Sequence, residues 1–452
     1  MGFHNVEKWD WKYALLKQFV RFNFKSYFKR IIVQGKNNIP KDKPIIYVPN
    51  HQNALMDALA VLSTTKGQPV FLARSDIFKK PLLNKILTFL KMIPIYRIRD
   101  GYGNLKMNDE IIQKITDILS QNHSLILFPE GNHGEKRKLR PLKKGVSRIA
   151  FQAEEAFHFD LDIQIIPVGL DYTNYIKFNH ELFVNYGKPI SLKSYLPLYK
   201  ENPAKAHNAV IEKIASSLKP LMLQVSSTSF YELINSARYI FRHQAARYFE
   251  LPDLKGANRF ITDQKFIKLC DQAVKDHPEE AEQANEHLRA YEKALEKLNL
   301  RDWVFKKGPF SWVILFLQVP VLIGLSPVFI YGLLNHILPS FIPMYVSRKL
   351  KDKQFWSSIR STMTLVTFPL FYLIQFGIVF LFLKNPLGAF IYLFTLPISG
   401  LVAYHYSTWF KKLRAKFKFN FLRRKNNNLL MNAVENRKKL MGILDKWFAE
   451  KR

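Results

Sequence analysis

The stretch Ile45-Ile46-Tyr47-Val48-Pro49-Asn50-His51-Gln52-Asn53-Ala54-Leu55-Met56-Asp57 decides how this chain folds. Its first four residues are an apolar run of strand length, rich in β-branched and aromatic side chains. A helical pattern follows at 54–65, so a strand runs through a polar loop into a helix. Further apolar runs flank it: Ile31–Val33, Val70–Leu72, Ile93–Tyr96, Leu125–Phe128, Ile165–Val168 and Leu182–Val184. Helical patterns at about 80–91, 104–121 and 145–157 separate several of them. Strands alternating with helices imply an α/β domain with a largely parallel central sheet flanked by helices, over 31–225. In such sheets ligands bind beyond the carboxyl ends of the strands. Three strand ends carry reactive residues: His51 and Asp57, then Arg97, then Glu130-Gly131-Asn132-His133.

The rest of the chain surrounds this domain with different material. Residues 1–30 read as an amphipathic interfacial helix: Trp9, Tyr13, Leu16, Val20, Phe24 and Tyr27 recur at helical spacing beside Lys17, Arg21 and Lys25. No apolar segment with a small-residue cleavage site opens the chain, so a secretory signal is not expected. Residues 226–308 form a polar helical connector, with a helix start at Pro278. Pro309–Ser347, Ser361–Leu383 and Asn385–Phe410 contain no Lys, Arg, Asp or Glu. A span needs about 20 apolar residues, so 309–410 is expected to be an all-α membrane domain of about four spans, the first stretch giving two if it turns near Ser326-Pro327, or one span plus a re-entrant piece. Two helical hairpins would bring the basic flanks Arg301–Lys307, Arg348–Lys353 and Lys411–Arg424 to the cytoplasmic side. Residues 411–452 read as a basic amphipathic tail.

The chain has 452 residues, 48% of them hydrophobic, which excludes a disordered or collagen-like polymer. Lys and Arg number 68 against 36 Asp and Glu, a formal charge of +32, so an anionic partner is expected. That charge lies beside apolar spans and in no nucleic-acid recognition module, so the partner is membrane lipid rather than nucleic acid. The single cysteine, Cys270, excludes a disulfide framework and a cysteine-rich zinc site. No ligand set for a metal is evident.

His51 with Asp57 supplies half of a catalytic triad. The carboxylate accepts one imidazole N–H, fixes the tautomer and stabilises the imidazolium formed when the other nitrogen takes a proton. No serine or cysteine nucleophile is needed when the substrate's own hydroxyl attacks. Asn50-His51…Asp57, Pro94-Ile95-Tyr96-Arg97, Phe128-Pro129-Glu130-Gly131 and Ile166-Pro167-Val168 resemble, in order and rough spacing, the four blocks of the glycerolipid acyltransferases. These are the glycerol-3-phosphate and 1-acylglycerol-3-phosphate (lysophosphatidate) acyltransferases. The resemblance covers about 30–190. Many members place four residues between the His and the Asp, but here five intervene. One extra residue turns a helical side chain by about 100°, so the loop must absorb it. Five residues, His51-Gln52-Asn53, and Asn132-His133-Gly134 after the third block resemble a branch acting on glycerol 3-phosphate or dihydroxyacetone phosphate.

The resemblance implies an acyltransferase of phospholipid biosynthesis, making phosphatidic acid or its precursor. His51 would be the general base, oriented by Asp57. Arg97 would bind the acceptor phosphate, with Glu130, Gly131, Asn132, His133 and Lys144 shaping the substrate site. The donor would be acyl-CoA or an acyl carrier protein, as co-substrate and with no cofactor. The acceptor would be glycerol 3-phosphate or a close relative, alternatively lysophosphatidate. A lipid transporter or flippase with an accessory acyltransferase domain is the alternative from another class. The expected location is a membrane, with the catalytic domain on the cytoplasmic side of a bacterial inner membrane.

Overall fold

Alternate residues of the central strands feed two different apolar layers, and this sandwiches the sheet between helices. In the computed structural model, which describes residues 6–96, 107–134, 136–251 and 253–450, the chain divides into two units. The first comprises residues up to Gln224 together with Leu350–Ser361, and the second comprises Val225–Lys349 with Thr362–Arg452.

The first unit runs α1 (Trp11–Tyr27), β1 (Arg30–Gln34), β2 (Ile45–Pro49), α2 (Ala54–Thr64), β3 (Val70–Arg74), α3 (Pro81–Phe89), β4 (Met92–Ile95), α4 (Met107–Ser120), β5 (Ser124–Ile126) and α5 (Gly145–Ala156). It continues through β6 (Gln164–Tyr172), β7 (Glu181–Tyr186), β8 (Ile190–Ser191), α6 (Leu196–Glu201) and α7 (Pro203–Leu218). The strand order is β1-β7-β6-β2-β5-β3-β4, with β8 paired to β6. β6, β2, β5, β3 and β4 are mutually parallel, as expected for a sheet built from βαβ crossovers. β7 pairs antiparallel with β6 and parallel with β1, so β1 and β7 run against the rest. Ile46, Val48 and Leu125 point into one layer with Ile115 and Leu119 of α4 and Ile149 of α5. Ile45, Tyr47 and Ile126 point into the other with Phe24 of α1 and Met56 and Val61 of α2. Period-two alternation on strands buried on both faces produces this split.

The second unit is helical: α8 (Tyr231–Tyr248), α9 (Ala257–Asp276), α10 (Pro278–Leu298), α11 (Asp302–Lys307), α12 (Trp312–Arg348), α13 (Phe355–Leu383, whose first turns belong to the first unit), α14 (Pro386–Arg424) and α15 (Asn428–Ala449). α12, α13 and α14 are long and apolar enough to cross a membrane. Among the described residues three helices therefore qualify as spans by length and composition, against about four expected. No turn forms at Ser326-Pro327. α12 is one helix of 37 residues, about 55 Å long, with Pro320, Pro327, Pro339 and Pro343 inside it. Proline inside an apolar helix is tolerated where neighbouring helices and side chains satisfy the freed backbone groups.

α12 and α14 pack antiparallel. Gln318 Oε1 accepts from Trp409 Nε1 at 2.9 Å, and Asn420 Oδ1 accepts from the Phe310 amide at 3.1 Å. A Cβ on Gly332 would lie 2.3 Å from the Ser399 carbonyl, so glycine permits this close approach. The basic flanks 301–307 and 411–424 thus share one end of the pair. Arg348 lies at the other end of α12. The boundary expected at 410 is absent too, because α14 continues through the basic residues to Arg424.

Candidate active site

β2 ends at Pro49 and α2 begins at Ala54, so His51 sits in the loop at a strand's carboxyl end. Asp57 lies in the first turn of α2 and is fully buried. The two meet: His51 Nδ1 donates to Asp57 Oδ2 at 2.9 Å. The same oxygen accepts the backbone N–H groups of Gln52 and Asn53, each at 2.7 Å. The other carboxylate oxygen accepts the Tyr172 hydroxyl at 2.8 Å. Four donors therefore converge on one buried carboxylate and satisfy its oxygens away from water. The fifth intervening residue is absorbed at the entry to α2, where Ala54 takes a left-handed φ of 41°. Burial, and then the Asp57 charge, push the Tyr172 hydroxyl well above its ordinary pKa, so it remains a donor.

With Nδ1 committed to Asp57, His51 Nε2 is the nitrogen available to accept a proton. The ring is partly exposed, its side chain 17% accessible. It stacks on Phe128, centroids 4.2 Å apart, and meets the His133 ring edge-on at 5.8 Å. The His51 amide donates to Glu130 Oε1 at 2.8 Å, and Arg140 Nε donates to Glu130 Oε2 at 2.9 Å. Glu130 thus ties the end of β5 to the end of β2. Gly131 follows with φ of 68°, a conformation that glycine adopts without strain. Burial raises the Glu130 carboxyl pKa above its ordinary 4.5, against the pull of the His51 amide and Arg140.

Glu130→Ala would leave the His51 amide and the Arg140 guanidinium unpaired. The expected cost is about 2–3 kcal/mol, discounted because Arg140 is 31% exposed. Glu130→Gln keeps an acceptor and should cost about half as much. The sign with pH follows from the raised value. Above pH 4.5 the folded chain holds the Glu130 proton longer than the unfolded chain does, so stability from this group falls as pH rises through that window. Thermal unfolding of wild type and Glu130→Gln between pH 4.5 and 7 checks this, because the variant should show a flatter slope.

The sequence-predicted residues separate into three groups. His51, Asp57, Glu130, Gly131 and His133 come together. Asn132 is exposed on the turn, and Lys144 is exposed at the start of α5, its carbonyl accepting from Ser147. Arg97 lies outside the described residues.

Several partners were not among the expected site residues. Asn50 is buried and locks β2 to β6, donating to the Leu170 carbonyl at 3.1 Å and accepting its amide at 2.6 Å. Ser357 donates to Asn53 Oδ1 at 2.8 Å. His133 Nε2 pairs with Asp352 Oδ2 at 2.8 Å, and its ring meets Phe355 edge-on at 4.8 Å. Burial alone would raise the Asp352 pKa, but the His133 and Gln354 hydrogen bonds outweigh it and hold the carboxyl below its ordinary value. The segment Leu350–Ser361, which joins α12 to α13, is therefore part of the first unit and of its site. Asp352 is the one acid in Arg348-Lys349-Leu350-Lys351-Asp352-Lys353, the only sequence signal it offered.

An imidazole with a free Nε2, a carboxylate holding its Nδ1 and a backbone turn at a strand end can remove a proton from a hydroxyl held in front of them. Comparison with known proteins agrees in class. The Acyltransferase family model matches residues 30–171. Glycerol-3-phosphate O-acyltransferase 1 of Saccharomyces cerevisiae is 26% identical over 238 residues, covering 49% of this chain and 30% of that protein. A 1-acyl-sn-glycerol-3-phosphate acyltransferase of Limnanthes douglasii is 29% identical over 189 residues, covering 42% and 59%. The crystal structure of the 1-acyl-sn-glycerophosphate acyltransferase of Thermotoga maritima aligns with a TM-score of 0.34 at 22% identity, covering 45% and 78%. The chain spans about a third of the length of the yeast relatives it matches, 30% and 31%. The matched residues 30–171 carry both the His51–Asp57 pair and Glu130.

Proposed function

We propose that this protein is a membrane-bound glycerolipid O-acyltransferase. It would transfer an acyl group from a thioester, acyl-CoA or an acyl carrier protein, to glycerol 3-phosphate or its 1-acyl derivative. The observation that carries the reading is the His51–Asp57 pair at the carboxyl end of β2, inside the family match. His51 Nε2 takes the proton of an acceptor hydroxyl as that oxygen attacks the thioester carbonyl. A C–O bond forms, the C–S bond breaks, and the imidazolium returns its proton to the departing thiolate. Asp57 stabilises the imidazolium throughout. Glycerol 3-phosphate is preferred as acceptor, because the yeast relative named for it matches the longer share of this chain.

The apolar helices suit a product that belongs in a bilayer. The catalytic domain, which includes residues 350–353 of the basic flank Arg348–Lys353, is assigned to the cytoplasmic side by the Lys and Arg content of that flank. The Lys-, Asn- and Phe-rich composition favours a bacterial inner membrane.

A donor-by-acceptor matrix on membranes containing the protein tests the reading. Acyl transfer to glycerol 3-phosphate should exceed transfer to lysophosphatidate. Turnover of neither acceptor with either thioester would reject the activity. Asp352 acts through His133 in this account, holding its ring against His51. Asp352→Ala should raise the KM for the phosphorylated acceptor about tenfold, with a smaller change in kcat. In a double-mutant cycle, Asp352→Ala should add little to His133→Ala, because contacting residues couple. Additive losses would mean that Asp352 serves the linker alone.

A further inference from the structure

Far from His51, at the opposite end of the parallel strands, lies a cavity of about 370 Å³. Lys66, Gly67 and Gln68, between the end of α2 and the start of β3, form one side of it. Lys36 enters from the end of β1, which runs against β2 and so finishes at this edge. Lys17 and Arg21 enter from α1, and Trp9 stands at its rim. Four cations therefore line one cavity, and no carboxylate is among its lining residues.

These cations crowd one another. Lys17 is buried and donates to the carbonyls of Thr65 and Gly67, which close the end of α2. Burial, and then Arg21, hold its pKa down to about 8. Burial lowers Lys36 too, followed by Arg21, Lys25 and Lys66. Arg21 Nε is buried and makes no hydrogen bond. A guanidinium with an idle donor beside ammonium groups fits an oxyanion with several acceptor atoms, and phosphate is the usual match.

The same helix indicates where that phosphate comes from. Trp11, Leu15 and Phe22 of α1 are 61%, 67% and 70% exposed. At about 100° per residue they share one arc of the helix, and Ala14, Gln18 and Arg21 continue it into the cavity wall. An exposed apolar arc beside a cationic one, with tryptophan at the border, is how a helix rests at headgroup depth.

We propose that this cavity binds the phosphodiester of an anionic glycerophospholipid through Arg21, Lys36 and Lys66, at a site separate from the acyl-transfer centre. The assignment does not depend on the proposed activity, since binding alone reads it.

The test uses the full chain in a neutral detergent, with binding measured by native mass spectrometry and thermal shift. The probes are dioctanoyl phosphatidylglycerol, dioctanoyl phosphatidylcholine and inorganic phosphate. Lys36 and Lys66 are exposed, so Lys36→Gln/Lys66→Gln should fold. Lys411→Gln/Lys412→Gln removes equal charge from the exposed face of α14 and serves as control. Phosphatidylglycerol should bind the double site variant at least ~10-fold more weakly than wild type, and the control like wild type. Phosphatidylcholine should bind all three alike. Equal phosphatidylglycerol affinity in wild type and the site variant, or an equal loss in the control, would overturn the site. Inorganic phosphate binding as tightly as phosphatidylglycerol would overturn the lipid assignment.

Discussion

Asp57→Asn is expected to lower kcat by about three to four orders of magnitude while the protein still folds. The size follows from the tautomer, by analogy with the serine-protease triad, where the equivalent change has an effect of this order. Asp57 Oδ2 now accepts from His51 Nδ1, Gln52 N and Asn53 N together. An asparagine has one carbonyl oxygen for these donors and an amide that is itself a donor. Its oxygen can satisfy the two backbone groups, and its NH₂ then faces the imidazole. His51 would turn its proton-accepting nitrogen toward residue 57 and present an N–H to the substrate. That state cannot take a proton from a hydroxyl. The Tyr172 hydroxyl at 2.8 Å would lose its charged acceptor, so a modest fall in unfolding temperature accompanies the change. KM should move far less than kcat, because the loss is in the transition state. Steady-state kinetics beside a thermal melt separates the two effects. A variant within tenfold of wild-type kcat would mean that Asp57 holds the α2 turn and nothing more.

Much of the first unit was legible because its strands are short apolar runs cut by polar turns. Ile45–Val48, Val70–Leu72 and Ile165–Val168 each fall inside an observed strand, and the helical patterns fall on α2 to α5. Strand direction was less legible. Leu182–Val184 has the same alternation whichever way it runs, so the antiparallel turn of β7 against β6 leaves no trace in composition. The His51–Asp57 pair could be proposed because both residues belong to one loop and one helix turn. Asp352 and Ser357 could not, since they approach His133 and Asn53 from more than two hundred residues away. Tyr172 sits at the end of a strand that is buried throughout, where a tyrosine reads as core. In the second unit the change from uncharged to basic residues at Lys411 reads as a boundary. A helix is held by its own backbone hydrogen bonds, so a change from apolar to basic side chains did not end α14.

The general-base role of His51 is the claim on which the mechanism stands, and removing the imidazole measures it. Positioned proton transfer contributes typically 10²–10⁴-fold, and without it the acceptor hydroxyl must attack still carrying its proton. His51→Ala also vacates the ring that stacks on Phe128, but leaves the His51 amide on Glu130 and the Asp57 bonds to Gln52 and Asn53 in place. The fold should therefore survive the change. The measurement is the single-turnover rate of acyl transfer from a thioester to glycerol 3-phosphate by the purified full chain, wild type against His51→Ala, with donor binding recorded in parallel. The account predicts a rate at least ~1,000-fold lower with donor affinity within about threefold of wild type. A His51→Ala rate within tenfold of wild type, in a folded protein that still binds the thioester, would contradict it.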